Sequence, residues 1–200
     1  MIADTVNTKS LTKKNILILN TAPDNNGYCN KIEHFLINNI SDNFKINIIK
    51  PCELNIQPCI NCNYCEHNES CKISDDFKVF DKLYEKCDIF LIITPVYYLS
   101  YPAHTKALID RMQIYYNKRF KKNIPTIFEI HKSAFLFIIS GSDNNDGIEI
   151  ITKQTKMFLS ILNTTLKDIL SLKNTDTTPP YEEFLNNLNN IIFNINIGLV

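Results

Sequence analysis

The sequence predicts a doubly wound α/β fold, one parallel sheet with helices on both faces. Three observations lead there. Short continuous apolar runs at 16–19, 89–93 and 134–139 read as strands buried on both sides. Segments with apolar residues at helical spacing separate them. The alternation recurs five times with neither an internal repeat nor a linker. Parallel strands need crossovers, and right-handed crossovers put helices on both faces. At 200 residues and 44% hydrophobic content the chain can build one sizeable core, so 15–200 are expected to form a single domain behind a polar, aperiodic, flexible arm at 1–14.

Each element follows from its own pattern. The first strand, 16–19, runs into a turn from Asn20 to Gly27 and then a helix with Ile32, Phe35, Leu36 and Ile40 on one face. The second strand, 44–49, sets Phe44, Ile46 and Ile48 against Lys45 and Asn47, the mark of a half-exposed edge position. A long cysteine-rich insertion, about 51–76, follows. Asp75 and Asp76 then precede a helix carrying Phe77, Phe80 and Tyr84, their charge favouring its positive end. The third strand is 88–94. Pro102 suits the first turn of a helix that faces inward with Leu108, Met112 and Tyr115. The fourth strand is 134–140, and a helix from about Gly147 carries Ile148, Ile151, Thr155, Phe158 and Leu162. A weak fifth strand near 165–172 and a helix with Tyr181, Leu185, Leu188 and Ile192 complete the fifth unit.

Composition narrows the function. The formal net charge is zero and the lysines are spread along the chain, so neither nucleic acid nor an anionic membrane is an expected partner. No apolar run approaches the length that spans a bilayer. Seven cysteines is an odd number, and the opening residues carry no secretory h-region, so free thiols or metal ligands in a cytoplasmic protein are expected rather than disulfides. Cys52 and Cys87 read as small hydrophobes beside strands. His34, His104 and His131 stand singly, without a partner at a catalytic spacing.

Four of the thiols, Cys59, Cys62, Cys65 and Cys71, follow the spacing C-x2-C-x2-C-x5-C. That density suits ligands converging on one metal centre rather than four independent core cysteines. Spacing alone leaves an iron–sulfur cluster, a zinc site with His67 among the donors, and an unloaded loop all open. In a doubly wound sheet, ligands sit beyond the carboxyl ends of the strands, which points to the loops 20–30, 94–101 and 140–147. The first leads from a buried strand to a helix N-terminus, a phosphate seat to which Thr21, Asn30 and the backbone around Gly27 would add donors. The second places Tyr97, Tyr98 and Tyr101 where a flat heterocycle can stack.

Taken together, the loop from Thr21 to Gly27, P-C-I-N-C-N-Y-C…C-K-I-S-D-D, T-P-V-Y-Y-L-S-Y-P-A-H-T-K-A-L-I-D-R-M and I-S-G-S resemble the NAD(P)H-dependent FMN reductase family, and within it the iron–sulfur flavoproteins. The likeness runs from about 15 to 172. It implies a flavodoxin-like three-layer sandwich with strand order 2-1-3-4-5 and bound FMN. It also implies a homodimer or homotetramer with flavin pockets shared between subunits. Carried over position by position, it puts Thr21, Gly27, Tyr28, Cys29 and Asn30 on the flavin phosphate. Thr94, Pro95, Val96, Tyr97, Tyr98 and Ser100 fall on the loop that holds the isoalloxazine, and Ser140, Gly141 and Ser142 on the third wall. It favours a [4Fe–4S] cluster on Cys59, Cys62, Cys65 and Cys71. The chain departs from the family where Asn20-Thr21-Ala22-Pro23 replaces the usual G-S-P-R and no cation precedes Lys31. Cys29 stands for a usual hydroxyl, with an acidic thiol and an inert buried one as its two readings.

The expected activity is that of an FMN-dependent oxidoreductase passing electrons from NAD(P)H or a reduced carrier to an acceptor. No side-chain catalytic residue is expected, because the cofactor carries the chemistry. The competing expectations are a non-enzymatic flavin and iron–sulfur carrier or redox sensor, and a zinc-stabilised interaction domain.

Overall fold

The computed structural model describes residues 13–124 and 128–200. The expected arm at 1–14 lies almost entirely outside the described residues. Its last member, Lys14, already belongs to the sheet, because the first strand, β1, spans Lys14–Asn20. There follow α1 (Tyr28–Asn39), β2 (Phe44–Ile49), a 3₁₀ turn (Pro51–Glu53), the one-turn α2 (Tyr64–His67), α3 (Phe77–Lys86) and β3 (Ile89–Pro95). Then come α4 (Ala103–Arg111), α5 (Gln113–Tyr116), a π turn (Asn117–Lys121), β4 (Lys132–Ile139), α6 (Asp146–Ile161), β5 (Thr164–Leu172) and α7 (Tyr181–Asn196). All ladders are parallel and the strand order is β2-β1-β3-β4-β5, the flavodoxin-like order.

Alternation along the central strands sorts the core into two layers. Leu17, Leu19, Phe90, Ile92, Leu136 and Ile138 face α3, α4 and α6, where Phe80, Tyr84, Leu108 and Phe158 meet them. Ile16, Ile18, Leu91, Ile93, Phe135 and Phe137 face α1 and α7, against Ile32, Leu36, Leu188 and Ile192. Each fully buried aliphatic or phenyl side chain contributes roughly 1.5–3 kcal/mol, so these two faces supply most of the folding drive. β4 is buried along its whole length, which explains its unbroken apolar run.

The structure adjusts several expectations. At the edge strand β2, Ile48 is exposed while Ile49 enters the core, since an edge strand is covered on one side only. In α7 the buried stripe is Phe184, Leu188, Ile191, Ile192 and Ile195, with Leu185 at its margin. The long insertion is not featureless, for it holds the 3₁₀ turn and α2. Asp75 does more than favour the start of α3. It accepts from the Phe77 N–H at 3.1 Å and also pairs with Arg111.

Candidate functional site

β1, β3 and β4 deliver their following loops to one end of the sheet, and each loop starts by continuing a ladder. The Thr21 N–H donates to Ile93 O at 2.9 Å, Val96 N–H to Ile139 O at 2.8 Å, and Ser140 N–H to Leu172 O at 2.8 Å. Backbone bonding therefore carries the register of the sheet into the site.

The first loop turns on a buried polar network. Asn20, wholly buried, donates through Nδ2 to Asn30 Oδ1 (3.1 Å) and Glu33 Oε2 (2.8 Å), and its Oδ1 receives the Ala22 N–H. Lys50, one residue past β2, donates to Asn30 Oδ1 at 2.9 Å and Asn25 Oδ1 at 3.3 Å, with Glu33 at 3.9 Å. The sequence offers no cation in this loop before Lys31. The fold brings one to its side from twenty residues beyond Asn30. Asn30 donates to Asp24 O at 2.9 Å, so its amide holds the loop together.

Gly27 is the N-cap of α1, in extended conformation, with no side-chain cap and no acid in the first turn of the helix. The first-turn donors that a Ser or Asp cap would satisfy thus have no such partner. A Cβ added at position 27 would lie 2.6 Å from Asp24 Oδ2, so a side chain there would have to displace the Asp24 carboxylate. Thr21 is buried and its Oγ1 has no hydrogen-bond partner, a polar group that costs free energy until a ligand satisfies it. Tyr28 turns toward α7, edge-on to Tyr181 at 5.2 Å with Lys31 over its ring at 4.5 Å. Cys29 is buried, and burial, assisted by the charge of Asp24, pushes its thiol up to about 12. Of the two readings of Cys29, the neutral buried thiol is the one this environment produces, since desolvation outweighs the helix terminus.

The second loop is a tight turn. Tyr97 and Ser100 exchange N–H to O bonds of 2.9 Å each, and the two residues between them, Tyr98 and Leu99, have φ of 47° and 62°. Non-glycine residues at positive φ carry strain of order 1 kcal/mol each and cluster at ligand sites. Gly147 at the start of α6 makes room for the turn, since a Cβ there would run into Val96 Cγ1. Thr94 is fully buried and donates to Pro95 O, while the Tyr98 ring is fully exposed. Tyr101 packs inward, bonded to Thr155 Oγ1 at 2.5 Å, and so leaves the set of aromatics available for stacking. The Tyr97 phenol is pushed up by burial and by the charge of Asp24 in the first loop.

A cavity of about 420 Å³ opens between the second and third loops, lined by Val96, Tyr98, Leu99, Ser140, Gly141, Ser142, Asn144, Gly147 and Asp176. Val96, Tyr98, Ser140, Gly141 and Ser142 are thus brought together. Asp176, unmarked in the sequence, joins them because its N–H donates to Gly141 O at 3.2 Å and its carboxylate covers the Gly141 Cα.

The thiol loop leaves β2 at the same end of the sheet. Its base is closed by the Asn55 N–H to Asp76 Oδ2 (2.9 Å), Asp76 N–H to Asn55 O (3.2 Å) and Gln57 N–H to Asp75 Oδ2 (2.9 Å). Arg111, buried at the end of α4, donates to both oxygens of Asp75 (2.6 and 3.2 Å), to Gln57 O (3.0 Å) and to Ile73 O (3.1 Å). Burial opposes ionisation of Asp75, but Arg111 and the N–H groups of Gln57 and Phe77 outweigh it and hold the carboxyl below its usual range. At the tip, Asn61 and Asn63 adopt φ of 50° and 55°, and Cys59, Cys62, Cys65 and Cys71 all line one cavity of about 20 Å³ together with Gln113 and Asn117. Asn117 Nδ2 donates to Cys65 Sγ at 3.2 Å, and its Oδ1 receives Gln113 Nε2 at 3.2 Å. All seven cysteines are free. Among the described residues, no three His, Cys, Asp or Glu side chains close on one point tightly enough to hold a metal ion as they stand. The donor set fits a four-thiolate centre in kind and number, while the enclosed space suits one water-sized guest.

A doubly wound sheet of order 2-1-3-4-5, with an uncapped helix N-terminus and an unsatisfied buried hydroxyl after β1 and a cavity between the loops after β3 and β4, is the architecture of nucleotide- and flavin-binding α/β proteins. Comparison with known proteins gives the family. The model of the NADPH-dependent FMN reductase family matches residues 14–169, and the chain belongs to that family. Among curated proteins it is similar to an iron–sulfur flavoprotein of Methanosarcina thermophila, 38% identical over 68 residues (32% of this chain, 34% of that protein). It is also similar to an iron–sulfur flavoprotein of Methanocaldococcus jannaschii, 26% identical over 106 residues (53% and 50%). The matched stretches span half or less of these relatives. Among solved structures, a Bacillus anthracis FMN-dependent NADH-azoreductase in complex with FMN superimposes with a TM-score of 0.67 at 15% identity, covering 93% of this chain and 99% of that one. An NAD(P)H:quinone oxidoreductase of Methanothermobacter marburgensis gives 0.66 at 15% identity, with 90% and 95% covered. These likenesses establish the fold.

Proposed function

We propose that the chain is an FMN-dependent oxidoreductase that passes electrons from NAD(P)H or a reduced carrier to an acceptor. The observation that carries this is the unsatisfied, buried Thr21 hydroxyl beside the uncapped N-terminus of α1, in a chain whose residues 14–169 match the FMN reductase model. The α1 N–H groups and Thr21 hold the phosphate. Thr94, Pro95, Val96, Tyr97, Tyr98 and Ser100 hold the ring, with the Tyr98 and Leu99 peptides, which take no part in the bridge between Tyr97 and Ser100, addressing its polar rim. Ser140, Gly141 and Ser142 close the third wall. FMN supplies the hydride and single-electron chemistry when bound, so the chain needs to bind, orient and exclude water rather than move a proton.

Cys59, Cys62, Cys65 and Cys71 are the proposed ligands of a [4Fe–4S] cluster. Their spacing, their common cavity and the names of the curated relatives support this. A cubane would require the thiols to spread from their present cavity. The small volume is the observation that favours the second reading, a single zinc ion in the same set. We also propose a homodimer or homotetramer, supported by an apolar groove of about 530 Å³ between α4 and α6 that includes Ile109, Met112, Tyr116, Met157 and Phe158. Among the described residues no helix is long and apolar enough to cross a membrane.

The test is an absorption spectrum of protein purified without oxygen, with released flavin, iron, sulfide and zinc quantified on the same sample. Flavin bands with a broad charge-transfer shoulder and about four irons per chain support the full reading. Flavin with zinc supports the second reading. A protein that takes up no FMN overturns the proposal, and steady NAD(P)H oxidation with a quinone or free flavin argues against a non-enzymatic carrier or sensor.

A further inference from the structure

The first loop carries a negative charge where a phosphorylated ligand would bring its own. The Asp24 carboxylate lies against the start of α1, with Oδ2 2.6 Å and Oδ1 3.3 Å from the point a Gly27 Cβ would occupy. Its charge also acts on Cys29 in α1 and on Tyr97 in the second loop. The carboxylate is not what anchors the loop. That task falls to the Asp24 backbone carbonyl, which accepts from Asn30 Nδ2 at 2.9 Å. The lysines of this region already have partners, Lys50 with Asn25, Asn30 and Glu33 at the side of the loop, and Lys31 over the ring of Tyr28. The helix terminus and the unsatisfied Thr21 hydroxyl favour an anion at this seat, while Asp24 disfavours it.

We propose that Asp24 is a specificity-determining residue whose carboxylate opposes the flavin phosphate and so narrows the preference for FMN over riboflavin, which has the same ring and no phosphate. The inference rests on the flavin-binding reading above. Two like charges within one cleft weaken each other's binding, and ionic strength screens the effect. FMN would then hold a smaller advantage over riboflavin than the fold alone predicts.

The experiment measures dissociation constants for FMN and for riboflavin by quenching of flavin fluorescence, in the native chain, Asp24→Asn and Asp24→Ala. Both variants keep the backbone carbonyl that Asn30 uses, and the Ala variant guards against a new hydrogen bond from the introduced amide. The expected result is FMN affinity raised on the order of tenfold in both variants at low salt, with riboflavin affinity within about twofold of native. The gap should close as salt rises. If FMN and riboflavin affinities move together, or FMN affinity is unchanged or falls, the inference is overturned while flavin binding stands. If the native chain and both variants bind neither flavin, the flavin reading falls and takes this inference with it.

Discussion

The proposed flavin cleft and the thiol loop lie at the same end of one sheet and are held largely by different means. The cleft loops are entered through main-chain bonds that extend the ladders, from Thr21 to Ile93, Val96 to Ile139 and Ser140 to Leu172, and only the first of the three adds a buried side-chain network, that of Asn20, Asn30 and Glu33. The thiol loop is fixed by side chains, with Arg111 on Asp75, Gln57 and Ile73, Asp76 on Asn55, and the salt bridge between Lys121 and Glu66. A site held by backbone survives most substitutions, whereas one held by side chains hangs on a few residues. Mutation should therefore separate the two regions.

The largest effect is expected at the clamp. Arg111→Met leaves Asp75 charged and buried without its partner, a loss of about 3–5 kcal/mol. Urea unfolding reads the loss, and limited proteolysis should locate new cleavage within 56–75 while the cleft retains its flavin. Equal loss of flavin and loop order would break the comparison. The same pair sets an acid limit. Because the Asp75 carboxyl is held below its unfolded range, its contribution is full above the usual carboxylate pKa and fades as pH falls through the lowered one. Stability measured from pH 7 down to pH 3 should show this loss in the native chain and not in Arg111→Met.

A middle effect is expected at Asn117. Asn117→Leu removes the N–H donor to Cys65 and should weaken uptake of Co(II), followed by its thiolate charge-transfer band in metal-free protein, by about 10–100-fold. Serine at any one of Cys59, Cys62, Cys65 or Cys71 should lower metal content, and FMN affinity should not change. The smallest effect is expected at Thr21. Thr21→Val relieves an unsatisfied buried hydroxyl, so the flavin-free protein should gain up to about 1 kcal/mol in thermal unfolding while FMN binding weakens. Opposite signs in the two measurements sharpen the contrast, since a purely structural threonine would move both the same way.

Most of the fold was legible because the continuous apolar runs of β1, β3 and β4 and the helical spacing on α1, α3 and α6 are local signals. The cleft was legible as far as its loops were, through Thr21, Gly27, Tyr97 and Ser140. The residues that organise these segments were not. Lys50 reaches Asn30 across twenty residues, Arg111 reaches Asp75 across thirty-six, and Asn117 reaches Cys65 across fifty-two. Such meetings depend on which helix lies over which loop, and no spacing encodes them. Cys29 shows the opposite failure. Its position at a helix start is visible in the sequence, but the burial that decides its protonation is set by the packing of α1 on the sheet.

The closed base of the thiol loop has one more consequence. Asn55 and Asp76 are joined in both directions, so the chain leaves and re-enters the body of the protein at a single point. Segments with touching ends can be inserted or removed at little cost to the frame around them. A short turn grafted from 55 to 76, with Arg111 replaced by an apolar residue, would turn this chain into a plain flavin fold. Moving the segment the other way, with an arginine at the end of the facing helix, would give a loopless relative its own sulfur-rich appendage.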